Sequence, residues 1–483
     1  MPALPYRSAT TLARQIRQGE LSAVEVLEAH LDRIVRLNPP LNALVTLGAD
    51  QARARARAAD AARDAGKLWG PLHGLPFTVK DQYATAGLRT TYGLPHYPRF
   101  VPPSDATLVD RLRQAGGILI GKTNLPFASY DWQCRHPVFG RTNNPWDRGR
   151  TPGGSSGGSA AALAARLTPL ELGADVAGSI RVPSHFCGVA GLRPTEGRLP
   201  LDGILPPARP RTVQHVVVGG PMARTVEDLQ LAWRALDDTD PDPAPTPAPE
   251  DLRVAVTPEL GGVPVDLDTQ RVLRRAVRAL RAAGSTVARR PAPVDLERAL
   301  DTWADIQGFE LGAGLPGPLR VPPLRTALWH GVVGSKFGFL GRKLARGAGG
   351  SPRDYLTALD RKAQLTRTLD SFFDDWDLWI TPVASVPAFT HRRTGAPLTI
   401  EGVSVPYALP FAVYNCATAV LGHPILTLPA GRSSEGLPIG LQVHGRPGHD
   451  AALLAAGRRL EQIEGWRSSP EKARGPGAPS RGD

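Results

Sequence analysis

Cysteine is scarce in this sequence. Cys134, Cys187 and Cys416 form an odd, sparse set without CxxC spacing, which argues against a disulfide framework and against a zinc site. Long apolar runs are missing too. No window approaches the roughly 18 uninterrupted apolar residues of a membrane-spanning helix. The opening stretch Met1 to Arg7 has no basic flank leading into an apolar run, so no signal peptide is expected. Lysine is rare: only seven of the 57 basic residues are Lys, and the net charge of +12 is an arginine bias spread along the chain. Without a block of like charges, or basic residues interleaved with aromatics, a footprint on phosphates is not expected. No His, Cys and Asp residues stand at metal-ligand spacing. The reading is a soluble, cytoplasmic protein with no nucleic-acid partner, no metal and no cofactor.

What is present is a chain long enough, at 483 residues and 42% apolar, to bury a large core. Helical spacing runs from Ser8 to Leu37, with starts at Ser8 or Thr10 and at Leu21-Ser22, and Pro39-Pro40 is expected to stop it. A helix over 49–67 precedes a short strand, Phe77-Thr78-Val79, that ends on Lys80. Residues 107–115 read as a helix, 118–120 as a buried strand and 121–124 as a turn. A small-residue helix over 158–166 and a strand over 170–173 follow, then a possible strand over 213–218 and a helix over 226–236. After an Asp- and Pro-rich linker at 237–250 come strand 252–256, helix 269–283, strand 285–289 and the long helix 355–373. Strands at 378–381, 425–428 and 437–443 precede a helix at 451–463, and the tail 467–483 has the composition of disorder. Helices alternating with strands imply an α/β layer structure.

Two motifs match well-known patterns and fail on context. Gly116 to Thr123 fits GxxxxGK[ST], but an apolar strand occupies the supposed phosphate loop and no helix opens after it. Gly154-Ser155-Ser156-Gly157-Gly158 fits the GxSxG nucleophile elbow. The preceding Asp147 to Pro152 is not a strand, however, and no histidine stands out as a base; His185 reads as a packed loop residue. Ser/Gly clusters around Ser155 and Ser179, 24 positions apart, pair hydroxyls with a backbone free to approach a ligand. Lys80, at the end of a buried strand, is either paired with Asp81 or Asp175 or held neutral. A fully buried lysine loses about 3–5 pKa units, and the neutral amine is then a general base.

Taken together, Gly74-Leu75-Pro76-Phe77-Thr78-Val79-Lys80-Asp81, Asn144-Pro145-Trp146, Gly153 to Ala160, Gly178-Ser179-Ile180-Arg181, Phe186-Cys187-Gly188 and Gly436 to Gln442 resemble the amidase signature family from about residue 8 to 465. The resemblance implies one large α/β domain over 1–466, a mixed twisted sheet covered by helices on both faces, with 237–250 as a surface insertion. It implies a Ser–cis-Ser–Lys triad: Ser179 as nucleophile, Ser155 as proton relay and Lys80 as base. The backbone N–H groups of Val176, Ala177, Gly178 and Ser179 would form the oxyanion hole, with Ser156, Asp175 and Arg181 supporting it. Two positions depart from the family pattern. Ala174 removes a hydroxyl, and Ala177 replaces a glycine, which adds about a kcal/mol or more of strain if the position needs positive φ.

The implied activity is hydrolysis of a non-peptide carboxylic amide, by a monomer or homodimer. Phe127 to Cys134 resembles the acyl-pocket segment of the fatty-acid-amide-hydrolase-like branch, making Ser129, Tyr130 and Trp132 pocket candidates and an apolar acyl or aryl amide the expected substrate. Two alternatives stand beside it: the glutaminase component of a tRNA-dependent amidotransferase, and a catalytically silent scaffold with the same fold.

Overall fold

In the computed structural model, described over residues 3–204, 214–239, 244–314 and 322–466, the strand Pro76–Lys80 lies deep in an eleven-stranded sheet. It pairs in parallel with Ile118–Thr123 on one side and Leu170–Asp175 on the other. All of its residues are buried, so the continuous apolar run suits a strand covered on both faces. Beyond Leu170–Asp175 the sheet turns antiparallel, through Val218–Ala223, Ala190–Arg193, Ile425–Arg432, Pro438–His444 and Leu378–Pro382. Arg253–Val256 and Thr286–Arg289 then complete one edge in parallel, and Leu44–Leu47 caps the other edge antiparallel to Ile118–Thr123. The sheet is mixed, as the resemblance implies.

Side chains alternate between two cores. Leu378 and Ile380 enter one apolar cluster while Trp379 enters another, and Val254 and Val256 face away from Ala255 in the same way. Period-2 alternation assigns the clusters to opposite faces of the sheet. Helices Ala9–Arg17, Ala23–Leu41, Val226–Leu236, Leu267–Ala282 and Asp450–Gln462 cover the first face. Helices Leu296–Ala313, Phe339–Gly349, Pro352–Asp375 and Leu409–Ala419 cover the second. Helix starts follow their caps: the Ser8 side chain accepts from Thr11 N–H, and Ser22 closes a capping box with Glu25.

Several expectations need correcting. Pro39-Pro40 does not stop the second helix, which runs to Leu41 and ends on Asn42 at φ 52°. Both prolines fall in its last turn, where they forfeit only donors toward Val35 and Arg36, and Val35 is exposed to solvent. Residues 121–123 are strand rather than turn. Lys122 is completely buried there, donating to Tyr83 O, to Thr85 Oγ1 and Thr90 Oγ1 at 2.9 Å each, beside Asp81 at 3.8 Å. The strand expected at 213–218 instead spans Val218–Ala223. Val213 lies outside the described residues, and Val216 adopts φ 69°, which breaks an extended run. The tail from 467 and positions 240–243 of the Pro-rich linker also lie outside them.

Candidate active site

The C-terminal ends of the parallel strands Pro76–Lys80 and Leu170–Asp175 open onto a cleft lined by Lys80, Ser155 and Ser179. Lys80 Nζ lies 2.6 Å from Ser155 Oγ, and both residues are about 1% exposed. Neither Asp81 nor Asp175 takes the lysine. Asp81 sits beside Lys122, and Asp175 is held by Arg181 at 2.9 Å. Burial, only partly opposed by the more distant charge of Asp175, lowers the Lys80 ammonium from 10.5 to about 7. An amine at that value is a poised general base.

The Gly154–Ser155 peptide bond is cis, as the resemblance implied. Ser156 starts the helix Gly157–Ala164, and its N–H donates to Ser179 O at 3.0 Å, tying the two Ser/Gly clusters together. Gly178 has φ +92°, and a Cβ there would fall 2.5 Å from Asn415 Oδ1, so only glycine fits. Ala177 is not among the described residues with positive φ. The conditional strain penalty at that position therefore does not arise.

Asp175 organises the loop between strand and serine. Its Oδ1 accepts from Gly178 N–H at 2.9 Å and its Oδ2 from Ile180 N–H at 3.0 Å, while Arg181 donates to both oxygens. Burial alone would raise this carboxyl, but Arg181, with Arg193 behind it, holds it well below the usual carboxylate range. Arg181 also donates to Gln442 Oε1 and Thr418 Oγ1 at 2.9 Å each, anchoring the loop to the far half of the sheet. The N–H of Gly178 is thus committed to Asp175. Those of Val176, Ala177 and Ser179 meet no acceptor among the described residues. Trp303 Nε1–H donates to Val176 O at 3.1 Å and Trp132 Nε1–H to Ala177 O at 2.9 Å, so two indoles orient the peptides of this turn.

The pocket candidates Ser129, Tyr130 and Trp132 all line the cleft. Ala128 and Ser129 carry φ 50° and 61°, a bend that brings this segment across the cleft, and Ser129 Oγ donates to Gln82 Oε1 at 3.2 Å. Sequence reasoning missed the opposite wall. It is made by Trp303, Gln307 and Leu311 of helix Leu296–Ala313, joined by Phe337, Leu340 and Leu344. The signal was there: positions 303, 307 and 311 are spaced four apart, one helical face. His185 is fully buried, its ring nitrogens engaged with Val386 O and Gly440 N–H, as a packing residue. No group of His, Cys, Asp and Glu among the described residues gathers as a metal site, and no described helix is long and apolar enough to cross a membrane.

Known proteins resemble this chain over nearly its whole length. The amidase family model matches residues 25–454. The chain is 34% identical to the A subunit of glutamyl-tRNA(Gln) amidotransferase from Chloroflexus aggregans, covering 98% of this chain and 100% of that one. It is 33% identical to an acylamidase of Rhodococcus erythropolis, covering 96% of each. A bacterial aryl acylamidase of the amidase signature enzymes superposes with a TM-score of 0.80 at 26% identity, over 95% of this chain and 97% of that one. A 6-aminohexanoate cyclic dimer hydrolase does so at 0.77 and 27% identity, over 98% and 99%. On its sequence, its fold and the match across its length, this chain belongs to the amidase signature family.

Proposed function

We propose that the protein hydrolyses carboxylic amides with an apolar acyl or aryl group, using Ser179 as nucleophile, Ser155 as relay and Lys80 as base. The observation that carries this reading is the lysine amine, lowered to about 7, standing 2.6 Å from Ser155 in a cleft that Ser179 also lines. Neutral Lys80 takes the Ser155 proton as Ser155 takes that of Ser179. Ser179 Oγ then bonds to the carbonyl carbon, and the oxygen charge develops toward the N–H groups of Val176, Ala177 and Ser179. The proton returns through Ser155 to the leaving nitrogen, the C–N bond breaks, and water repeats the sequence on the acyl-enzyme to release the acid. Preorganised donors of this kind are each worth about 10²–10³ in rate.

The apolar substrate class follows from the walls. Trp132, Trp303, Phe337, Leu340, Leu344 and Leu311 provide hydrophobic surface, and the charged side chains lining the cleft are Lys80 and Asp131. Glutamine, the substrate of a glutaminase, carries an α-carboxylate and an α-ammonium that both need partners once buried. With Lys80 in the base position, the cleft offers the carboxylate no cation among the described residues, which favours an acylamidase over the glutaminase component of an amidotransferase.

Mass-spectrometric labelling with a fluorophosphonate probe tests the triad. The expected result is one adduct, on the Ser179 peptide, absent from Ser179→Ala and slowed in Ser155→Ala and Lys80→Ala. An adduct on Ser156 would overturn the assignment. Parallel assays should release aniline from acyl anilides and little ammonia from glutamine; the reverse ranking would favour the amidotransferase reading.

A further inference from the structure

Some arginines of this chain meet carboxylates. Arg53 pairs with Glu28, Arg150 with Glu435, Arg253 with Asp377, and Arg346 with Asp301 and Asp305. One concave surface instead gathers several cations with no such partner. Arg135, Arg141, Lys336, Arg392 and Arg393 line a single pocket with His391. Among the described residues, none of those five cations lies within ion-pair distance of a carboxylate. The pocket's one acid is Asp131, and it is already engaged. Its Oδ1 accepts the Tyr407 hydroxyl at 2.5 Å and Gln133 N–H at 3.3 Å, and its Oδ2 accepts the Thr394 hydroxyl.

The fold assembles this cluster against its own electrostatics. A two-stranded ribbon sets Arg135 directly opposite Arg141, and like charges facing each other across a strand pair are destabilising. From the other side, segment 391–395 brings two successive arginines. Arg392 is held in place there, donating from Nη1 to Pro397 O at 2.7 Å with its guanidinium 5.3 Å from the Phe389 ring centre. Gly395 lets the segment close on Lys336: it has φ +90°, and a Cβ would fall 2.5 Å from the Lys336 carbonyl oxygen. No carboxylate among the described residues comes within ion-pair distance to offset this repulsion, and the guanidinium forks match carboxylate and phosphate geometry.

We propose that this pocket binds a small, multiply charged oxyanion, a polycarboxylate or a phosphate, bridging the Arg135–Arg141 ribbon and the 391–393 segment. The site is separate from the amide cleft but backs onto it. Asp131 reaches both, and Phe337 lines the cleft while the preceding Lys336 lines the pocket.

Calorimetric titration of the full chain with citrate and with inorganic pyrophosphate, at ionic strength matched by sodium chloride, tests the proposal without reference to catalysis. Saturable binding with a Kd below about 1 mM is expected for at least one probe, weakened at least tenfold in Arg141→Ala/Arg393→Ala. Arg141→Lys/Arg393→Lys keeps the charge and loses the forks, and should fall between the two. Binding of citrate alone would assign the site to polycarboxylates, and of pyrophosphate alone to phosphates. The proposal is overturned if neither probe binds saturably, or if a double alanine variant with wild-type circular dichroism binds as tightly as wild type.

Discussion

Trp303 and Val176 are joined by an indole N–H that donates to the Val176 carbonyl at 3.1 Å. A trans peptide holds its C=O and N–H antiparallel, so fixing that carbonyl also fixes the direction of the Ala177 N–H. Trp132 does the same for the next peptide, whose N–H belongs to Gly178 and points at Asp175. Trp303 thus sets the direction of one donor of the proposed oxyanion hole, the Ala177 N–H, while Trp132 helps hold the neighbouring Gly178 peptide on Asp175. Trp303→Phe keeps the apolar wall and removes the hydrogen bond, a loss of about 0.5–1.5 kcal/mol. The expected outcome is kcat lowered about 2- to 10-fold with KM nearly unchanged, read from steady-state kinetics on an acyl anilide. A change confined to KM would assign Trp303 to substrate packing alone.

Lys80 gives the proposed reaction its pH dependence. Because burial lowers this amine to about 7, kcat/KM should fall about tenfold per unit below that pH and level off above it. Lys80→Arg keeps a cation near Ser155 that cannot act as a base, and should cost about 10²–10⁴ in rate. A flat pH profile in wild type would remove Lys80 from the base role.

Much of this site was legible in the sequence, because the proposed catalytic residues lie on short segments with few conformational options. Phe77-Thr78-Val79 could only be a buried strand, and it delivered Lys80 to the sheet's end. The glycines around Ser155 and Ser179 marked backbone that had to bend, and at Gly178 the positive φ and the Asn415 side chain show why. What escaped were elements whose pattern is set by tertiary burial. Helix Leu409–Ala419 is buried on every side, so no amphipathic stripe announces it. Val216 interrupts a β-branched run that read as a strand. The wall formed by Trp303, Gln307 and Leu311 belongs to a helix far along the chain that only folding brings to the serines.

Arg181 is the structural keystone of the serine loop. Removing one partner of a buried ion pair costs about 3–5 kcal/mol, so Arg181→Leu should lower the unfolding midpoint substantially in urea titrations. The paired carboxyl of Asp175 is depressed in the folded state. Its contribution is therefore complete above the ordinary carboxylate value of about 3.9 and is lost as pH falls below it. That part of the acid sensitivity should vanish in Asp175→Asn, and its persistence would place the acid lability elsewhere.

Ala177 stands where the family pattern has glycine, yet its backbone is not left-handed. Restoring glycine relieves no strain and adds freedom to the unfolded chain. Ala177→Gly should thus lose about 0.4–1 kcal/mol of stability. Its rate on small anilides should stay close to wild type, as thermal melts and kinetics together would check. A gain in stability would mean that the alanine methyl is under strain after all.

Gln307 is the polar exception in an apolar wall. Its Nε2 donates to His215 O at 2.9 Å, and its Oε1 has no partner among the described residues. It stands one helical turn, about 5.4 Å, beyond Trp303 on the same face of helix Leu296–Ala313. A free acceptor in the cleft wall suits an acyl chain carrying a hydroxyl or N–H donor. Such a chain should be preferred over its methyl isostere, because the isostere leaves the glutamine oxygen buried and unpaired. Gln307→Leu should abolish that preference, cutting kcat/KM about tenfold for the donor-bearing amide and changing it little for the apolar one. Equal losses on both substrates would show that the residue supports the helix through His215 rather than selecting the substrate.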